Sequence, residues 1–307
     1  MVQSQTTFVN HTLEFSGNST EEYDLEDLLR SEAELLGKGT FGFSYKAELG
    51  NGKTVAVKRL KDCCLPEEEF KQKIQELAKL SDHQSLLPLR AYYYSKDEKL
   101  LIFDYMPMSS LASLLLHDNG MAKKASLTWE IRTRIAYGVA RALEFLHAQG
   151  PGVCHGNIRS SNVLLTNCFD VRLSENGIFR LFVPNSKFVL IPGYQAPEVE
   201  NAYDVSVKSD VYSFGVLLLE LLTGKAPLEA IGKNSGVDLP SWVRDMFQEK
   251  PIIDVFDSML LHNYQNFGEQ MVQLLQLAIC CTFKNPSKRP SMVAVTNRIN
   301  RTCSFRS

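Results

Sequence analysis

Between Gly37 and Lys58 the chain places a glycine-rich element, a reversal and an alternating apolar run in an order that few folds accommodate. Gly37-Lys-Gly-Thr-Phe-Gly42 is followed by Tyr45-Lys-Ala, a turn at Gly50-Asn-Gly52, and Val55-Ala-Val-Lys58. A GxGxxG element alone is weak evidence, because it also marks dinucleotide folds and ordinary turns. In a dinucleotide fold it leads from a strand into a helix. Here strand-type segments flank it and a hairpin turn comes next, so the pattern is hairpin followed by strand. Glycines at 37, 39 and 42 allow backbone amides to approach phosphates closely. Lys58 is either a cation for such a ligand or a solvated edge lysine, and its flanking apolar alternation favours the first.

The chain has 307 residues, 44% of them hydrophobic, which is enough for a large core. A net charge of −2 gives no sign of a nucleic-acid partner. The seven cysteines include Cys63-Cys64 and Cys280-Cys281 and form no CxxC pair, which points to reduced thiols in a cytoplasmic setting. Met1 to Asn10 lacks the basic start and apolar run of a secretory signal. The longest apolar stretch, Val211 to Leu222, is interrupted by Glu220 and is shorter than the roughly 20 residues of a membrane span.

Residues 1–30 are polar and are expected to form a flexible leader closing in a short helix. Glu67 to Leu80 has helical periodicity, with Phe70, Ile74, Leu77 and Leu80 on one face. His83 to Tyr94 and Glu98 to Met106 read as strands, and Leu111 to Leu116 as a short helix. Thr128 to Gln149 reads as a long amphipathic helix stopped by Gly150-Pro-Gly152, with Trp129, Ile135, Val139, Leu143 and Leu146 inward.

From Val153 the sequence runs Val-Cys-His-Gly-Asn-Ile-Arg-Ser-Ser-Asn-Val-Leu-Leu165, and at Gly177 it closes Leu-Ser-Glu-Asn-Gly. This layout resembles the catalytic loop and metal-binding turn of the eukaryotic protein-kinase family, where His-Arg-Asp-Leu-x-x-x-x-Asn precedes Asp-Phe-Gly. His155 and Asn162 match, whereas Gly156 stands for Arg, Asn157 for the base Asp, Glu175 for the metal-binding Asp and Asn176 for Phe. In the family the loop Asp takes the proton of the substrate hydroxyl and the turn Asp chelates magnesium. Asn157 is uncharged and no base, although it can still orient a hydroxyl. Arg159 replaces the loop lysine and keeps its charge, and Asn162 stands at the second metal-ligand position. Glu175 carries its carboxylate on a longer arm, which compromises the tight geometry that magnesium requires. Asn176 puts an amide where the family Phe stacks between the positions of Leu77 and His155, at a cost of about 1–3 kcal/mol unless partners are found. Gly156 removes the arginine that reads an activation-loop phosphate, and between Glu175 and Glu198 only Ser186 and Tyr194 carry hydroxyls. Activation by loop phosphorylation is therefore not expected.

The resemblance extends in both directions. It implies that Gly37, Gly39 and Gly42 cover nucleotide phosphates and that Lys58 pairs with the α and β phosphates. Ala56, Leu164, Tyr105 and Met106 would face adenine, with Phe103 as a bulky gatekeeper. Ser44 stands where the family has an adenine-covering Val, and Lys73 where the helix glutamate pairs with the strand lysine; Glu69 and Glu76, a turn to either side, could substitute. Downstream, Ala196-Pro-Glu198 is matched by Arg289, and Asp210 opens an apolar helix whose acid would hold the catalytic-loop backbone. Tyr23-Asp-Leu-Glu-Asp-Leu-Leu-Arg30, Leu87-Pro-Leu-Arg-Ala-Tyr92 and Thr223-Gly-Lys-Ala-Pro227 are similar to the plant leucine-rich-repeat receptor-like kinases.

The expectations are thus an α+β, two-lobed kinase-like fold: a leader over 1–30, an N-lobe of five antiparallel strands and one helix over 31–106, a helical C-lobe over 107–302 and a tail over 303–307. The resemblance implies an inactive receptor-like kinase that signals through protein partners, receptor kinases among them. ATP is its implied ligand, with magnesium binding impaired. The setting is cytoplasmic, at the inner face of the plasma membrane if a parent receptor or partner tethers it. A slow Ser/Thr kinase and an ATP-binding switch without phosphotransfer stay open as alternatives.

Overall fold

The computed structural model describes residues 13–15, 23–81, 83–116, 127–182, 193–201, 204–227, 238–262 and 264–303. They fall into two compact units, one made of the described residues within Met1–Lys79, Pro88–Tyr105 and Leu181–Val183, the other of those within Leu80–Leu87, Met106–Arg180 and Pro184–Ser307.

The first unit is an antiparallel sheet with one long helix. Strands β1 (Glu14–Phe15), β2 (Glu32–Gly39), β3 (Gly42–Glu48), β4 (Thr54–Leu60), β5 (Leu89–Tyr94) and β6 (Lys99–Asp104) lie in the order β1-β5-β6-β4-β3-β2. The five strands expected from the sequence are β2 to β6, and β1 is an addition from the leader. It pairs Glu14 with Tyr92 and Phe15 with Ala91. Two anchors hold so short a strand: the Tyr92 hydroxyl donates to the Glu14 carboxylate, and Lys71 reaches the same carboxylate at 2.7 Å. Leu13 and Tyr23 are buried with Val55, Ala91 and Ile102 on one sheet face. Helix α1 (Leu25–Arg30) starts with a capping box between Asp24 and Asp27, so the leader is ordered here and at β1, against the expectation of a flexible segment, while residues 1–12 and 16–22 lie outside the described residues.

Helix α2 (Glu67–Leu80) has the expected bounds and buries Phe70, Ile74 and Leu77. The Phe70 ring packs against Tyr92 and Tyr94 at centroid distances of 5.9 and 5.2 Å. The strand expected from His83 begins only at Leu89, because Pro88 has no N–H for a ladder and the preceding residues form a turn closed by Leu86 N–H to His83 O.

In the second unit, α3 (Leu111–Leu116), α4 (Trp129–Ala148), α5 (Val207–Thr223), α6 (Leu239–Glu249), α7 (Ser258–Leu261), α8 (Tyr264–Cys281) and α9 (Met292–Cys303) surround one apolar core. Strands β7 (Val163–Leu165) and β8 (Val171–Leu173) form a small ribbon, with Val163 opposite Leu173. Thr128 caps α4, and all five residues read as its inward face are buried. Ser206 caps α5 in a capping box with Ser209. Arg132 of α4 is almost wholly buried, donating to the carbonyls of Leu127 and Leu221 and to the Asp257 carboxylate at 2.8 Å.

Candidate functional site

In the sheet unit the glycine-rich element is the turn between β2 and β3, with Gly39 opposite Gly42. At Gly42 φ is +143°, and a β-carbon there would lie 1.9 Å from the Arg59 carbonyl oxygen, so the close approach of β4 dictates glycine. Gly37 faces open space, with nothing within 4 Å of a β-carbon built on it. The β3–β4 register sets Ser44 opposite Lys58, and the β4–β6 register sets Ala56 opposite Phe103. Val55 and Val57 belong to the core on one face of β4, so period-two alternation puts Ala56 and Lys58 on the other. Lys58 is 4% exposed, which removes the reading of a solvated edge lysine. Beyond β6, Tyr105 lies under the Lys46 ammonium, 5.5 Å from the ring centroid.

On α2, Lys73 forms an i,i+4 pair with Glu69 at 3.6 Å, and Gln72 donates to Glu76 at 3.4 Å. The two acids that could replace the missing helix glutamate are thus each engaged along their own helix.

The helical unit assembles the second half from residues 153–177. Asp210, at the start of α5, is fully buried and accepts the backbone N–H of His155 at 2.7 Å, that of Gly156 at 2.9 Å and the His147 ring at 3.0 Å. Its role of holding the loop backbone is the one expected from the sequence. The N–H of Asn157 donates to Nδ1 of His155 at 3.2 Å, which leaves Nε2 as the donor to the Ser174 carbonyl at 3.0 Å. Burial pushes the His155 pKa down, so this imidazole is a neutral strut between loop and turn. Asn162 donates its amide to the Asn157 carbonyl at 2.8 Å, while its own carbonyl accepts both N–H and Oγ of Ser174. Leu164 on β7 bridges to Ser110, and Met106 accepts from the Ser109 N–H.

The decisive contact lies at the two altered positions. Asn157 Nδ2 donates to Oε2 of Glu175 at 2.6 Å. Glu175 itself sits at φ +66°, in the left-handed region that side chains avoid. Next to it, Asn176 is 9% exposed, and both atoms of its buried amide lack a hydrogen-bond partner among the described residues.

The sequence profile described as protein tyrosine and serine/threonine kinase matches residues 31–299. The chain belongs to that kinase family. A probable inactive receptor kinase of Arabidopsis thaliana is 52% identical over 290 residues, covering 94% of this chain and 44% of the relative, so the chain spans less than half of that protein. Among solved structures, the pseudokinase domain of BIR2, an immune regulator of the RLK/Pelle family, superposes with a TM-score of 0.81 at 30% identity, covering 96% of this chain and 90% of that one. The maize SIRK1 kinase domain bound to AMP-PNP gives a TM-score of 0.80 at 32% identity, over 94% of this chain and 99% of that one. The fold is therefore the kinase fold, with its antiparallel sheet and its helical unit.

Judged as a kinase metal site, the turn does not fit magnesium. The carboxylate of Glu175 stands on a longer arm than the family's Asp and is hydrogen-bonded to the Asn157 amide. A hard cation with near-octahedral demands would have to displace Asn157 from Glu175 and take a longer side chain as ligand.

Two features of this kinase fold escaped sequence reasoning. Phe179 packs where a side chain at Gly156 would go. Glu220, read only as an interruption in an apolar run, is fully buried and accepts from Ser160 Oγ at 2.7 Å and from the Tyr194 hydroxyl. Glu198 and Arg289, by contrast, form the expected bidentate pair at 2.5 and 2.7 Å. Ser186 lies outside the described residues.

Proposed function

We propose that this chain is the kinase-like domain of an inactive plant receptor kinase, which signals by binding protein partners and not by transferring phosphate. The observation that carries this reading is the hydrogen bond from Asn157 to Glu175. Catalysis needs an acceptor at the first position and a free chelating carboxylate at the second. An amide at the first has no proton affinity to offer, and it occupies the carboxylate of the second. Arg159 keeps a positive charge in the loop, but electrostatic stabilisation without a metal clamp or a base leaves little of the mechanism.

The phosphate half of the nucleotide site is better preserved. The glycine turn keeps its tight geometry, and Lys58 is buried on the face shared with Ala56. These features support a nucleotide taken up without magnesium, as a structural ligand held by Gly37, Gly39, Gly42 and Lys58, with Ala56, Phe103, Tyr105, Met106 and Leu164 around the base. Among the described residues no helix is long and apolar enough to cross a membrane. The likeness to receptor kinases supports a place at the inner face of the plasma membrane, through a parent receptor or a partner that is itself a receptor kinase.

The test is a phosphotransfer assay with labelled ATP and magnesium or manganese, on the chain itself and a generic protein substrate, with Lys58→Met as control. Incorporation indistinguishable from the control is expected. Incorporation that Lys58→Met abolishes would establish a slow Ser/Thr kinase and overturn the proposal. Thermal-shift titration with ATP, with and without magnesium, reads nucleotide uptake separately.

A further inference from the structure

In the sheet unit the outermost strand, β1, comes from the leader and is two residues long, whereas β5, on which it lies, has six, Leu89–Tyr94. Two residue pairs join them, Glu14 with Tyr92 and Phe15 with Ala91. So short a ladder contributes little main-chain pairing, and what seats the segment is its side chains.

Three consecutive side chains are read there. Glu14 reaches toward α2, where Lys71 Nζ lies 2.7 Å from its Oε1, and the Tyr92 hydroxyl donates to its Oε2, so both carboxylate oxygens are engaged. The receiving groups are fixed before the acid arrives. Tyr92 is buried and packs against the buried Phe70 ring of α2, and Lys71 is steadied by Glu67 at 3.0 Å. Leu13 and Phe15 turn to the opposite face, against the core that holds Val55, Ala91, Tyr93 and Ile102. The side chains thus run apolar, acidic, apolar, with the acid on one face of the sheet and its neighbours on the other.

We infer that the β5 edge, with Lys71 and Tyr92 at its centre, is a docking site for an extended segment of a protein partner whose side chains run apolar, acidic, apolar, and that Leu13-Glu14-Phe15 occupies this site in cis. The occupant is identified by the peptide already seated there, the chain's own. In strand addition the main-chain bonds give affinity and the alternate side chains give specificity. A partner segment with the same three side chains and a ladder longer than two pairs gains more main-chain pairing and displaces the leader. A basic residue at the central position would face the Lys71 ammonium and is rejected by repulsion. The inference deepens the partner-binding reading above by naming the chemistry of the partner, and rests on it.

The test is fluorescence anisotropy of the full chain with a labelled eight-residue peptide that carries Leu-Glu-Phe between threonines, beside a twin with Leu-Gln-Phe. The triple variant Leu13→Ser, Glu14→Ser, Phe15→Ser vacates the site. It is expected to bind the Glu peptide at least about tenfold more tightly than the parent does, and at least about tenfold more tightly than it binds the Gln twin. Lys71→Met added to the triple variant should remove the difference between the two peptides, whereas Lys250→Met, at an exposed lysine of the helical unit, should leave it unchanged. Hydrogen exchange should show the bound peptide slowing the amides of β5. Circular dichroism checks folding, and the milder Glu14→Gln, which keeps both apolar anchors, should bind the Glu peptide with an affinity between those of the parent and the triple variant. Equal binding of the two peptides, equal binding by parent and triple variant, slowed exchange elsewhere than at β5, or no binding at millimolar peptide would overturn the inference. So would a dimer of the parent that the triple variant loses, since the leader would then serve a second copy of this chain. Phosphotransfer activity would sink the inactive reading without moving any of these titrations, so the two failures are distinguishable.

Discussion

The ring of Phe179 fills the space that a side chain on residue 156 would require: a β-carbon built on Gly156 falls 2.5 Å from both Cδ1 and Cε1 of that ring and 3.2 Å from Cγ1 of Val205. Residue 156 is also at φ +77°. The kinase position that carries a phosphate-reading arginine is thus closed to a side chain by packing and by backbone conformation together.

Restoring the arginine should accordingly harm the protein. Gly156→Arg meets both the Phe179 ring and a left-handed backbone, and is expected to destabilise by about 2–4 kcal/mol. Gly156→Ala meets the same obstacles with a smaller group and should fall between. Urea unfolding of the three proteins orders them; a Gly156→Arg variant as stable as the parent would show that Phe179 swings aside freely.

Much of this architecture is legible in the sequence, and the illegible parts share a cause. Helix α2 is readable to its end residues because Phe70, Ile74 and Leu77 recur at helical spacing within one segment. Strand β1 is not, because two residues carry no period, and its reasons for forming are Tyr92 and Lys71 far along the chain. The replacements at 157 and 175 are each plain from the motif, but their union depends on a left-handed turn at Glu175 that no local signal announces. Glu220 interrupts an apolar run for the same kind of reason: its partners, Ser160 and Tyr194, come from other elements. What sequence periodicity conveys is which face is buried; which polar groups meet there is decided by tertiary contacts.

Asn176 offers the clearest route to a stabilised protein. Its buried amide leaves both polar atoms without partners among the described residues, a cost of about 1–3 kcal/mol. Asn176→Leu removes both orphan atoms with a modest gain in volume, and should raise the unfolding free energy by about 1 kcal/mol or more. A fall in the denaturation midpoint would mean that the amide is satisfied in solution.

Glu220 sets a pH dependence. Burial raises its pKa from 4.5 to about 7, against the opposing effect of the hydrogen bonds from Tyr194 and Ser160. Because the folded state holds a proton that the unfolded chain releases, this contribution to stability is fully present below about pH 4.5 and is lost as pH rises through about 7. Glu220→Gln keeps the shape and cannot ionise, so its stability should fall less steeply between pH 5 and 8. Identical slopes in the two proteins would remove Glu220 from the account.

The sharpest probe of the site is Asn157→Asp alone. It replaces the donor 2.6 Å from Glu175 Oε2 with a second carboxylate, so two like charges face each other where an amide and an acid now agree. Near neutral pH one of the pair must take up a proton or both must be held apart, and a loss of about 1–3 kcal/mol is expected. A divalent cation reverses the logic, since two carboxylates beside Asn162 form a more plausible ligand set than one. Thermal shifts of the variant should therefore grow with added magnesium or manganese, whereas those of the parent should stay flat. Addition of Glu175→Asp, which shortens the second arm to the family length, should steepen that response. A parent protein that responds to the metals as strongly as the variant would mean that Glu175 leaves Asn157 readily, and the contact would then no longer carry the proposal of an inactive kinase.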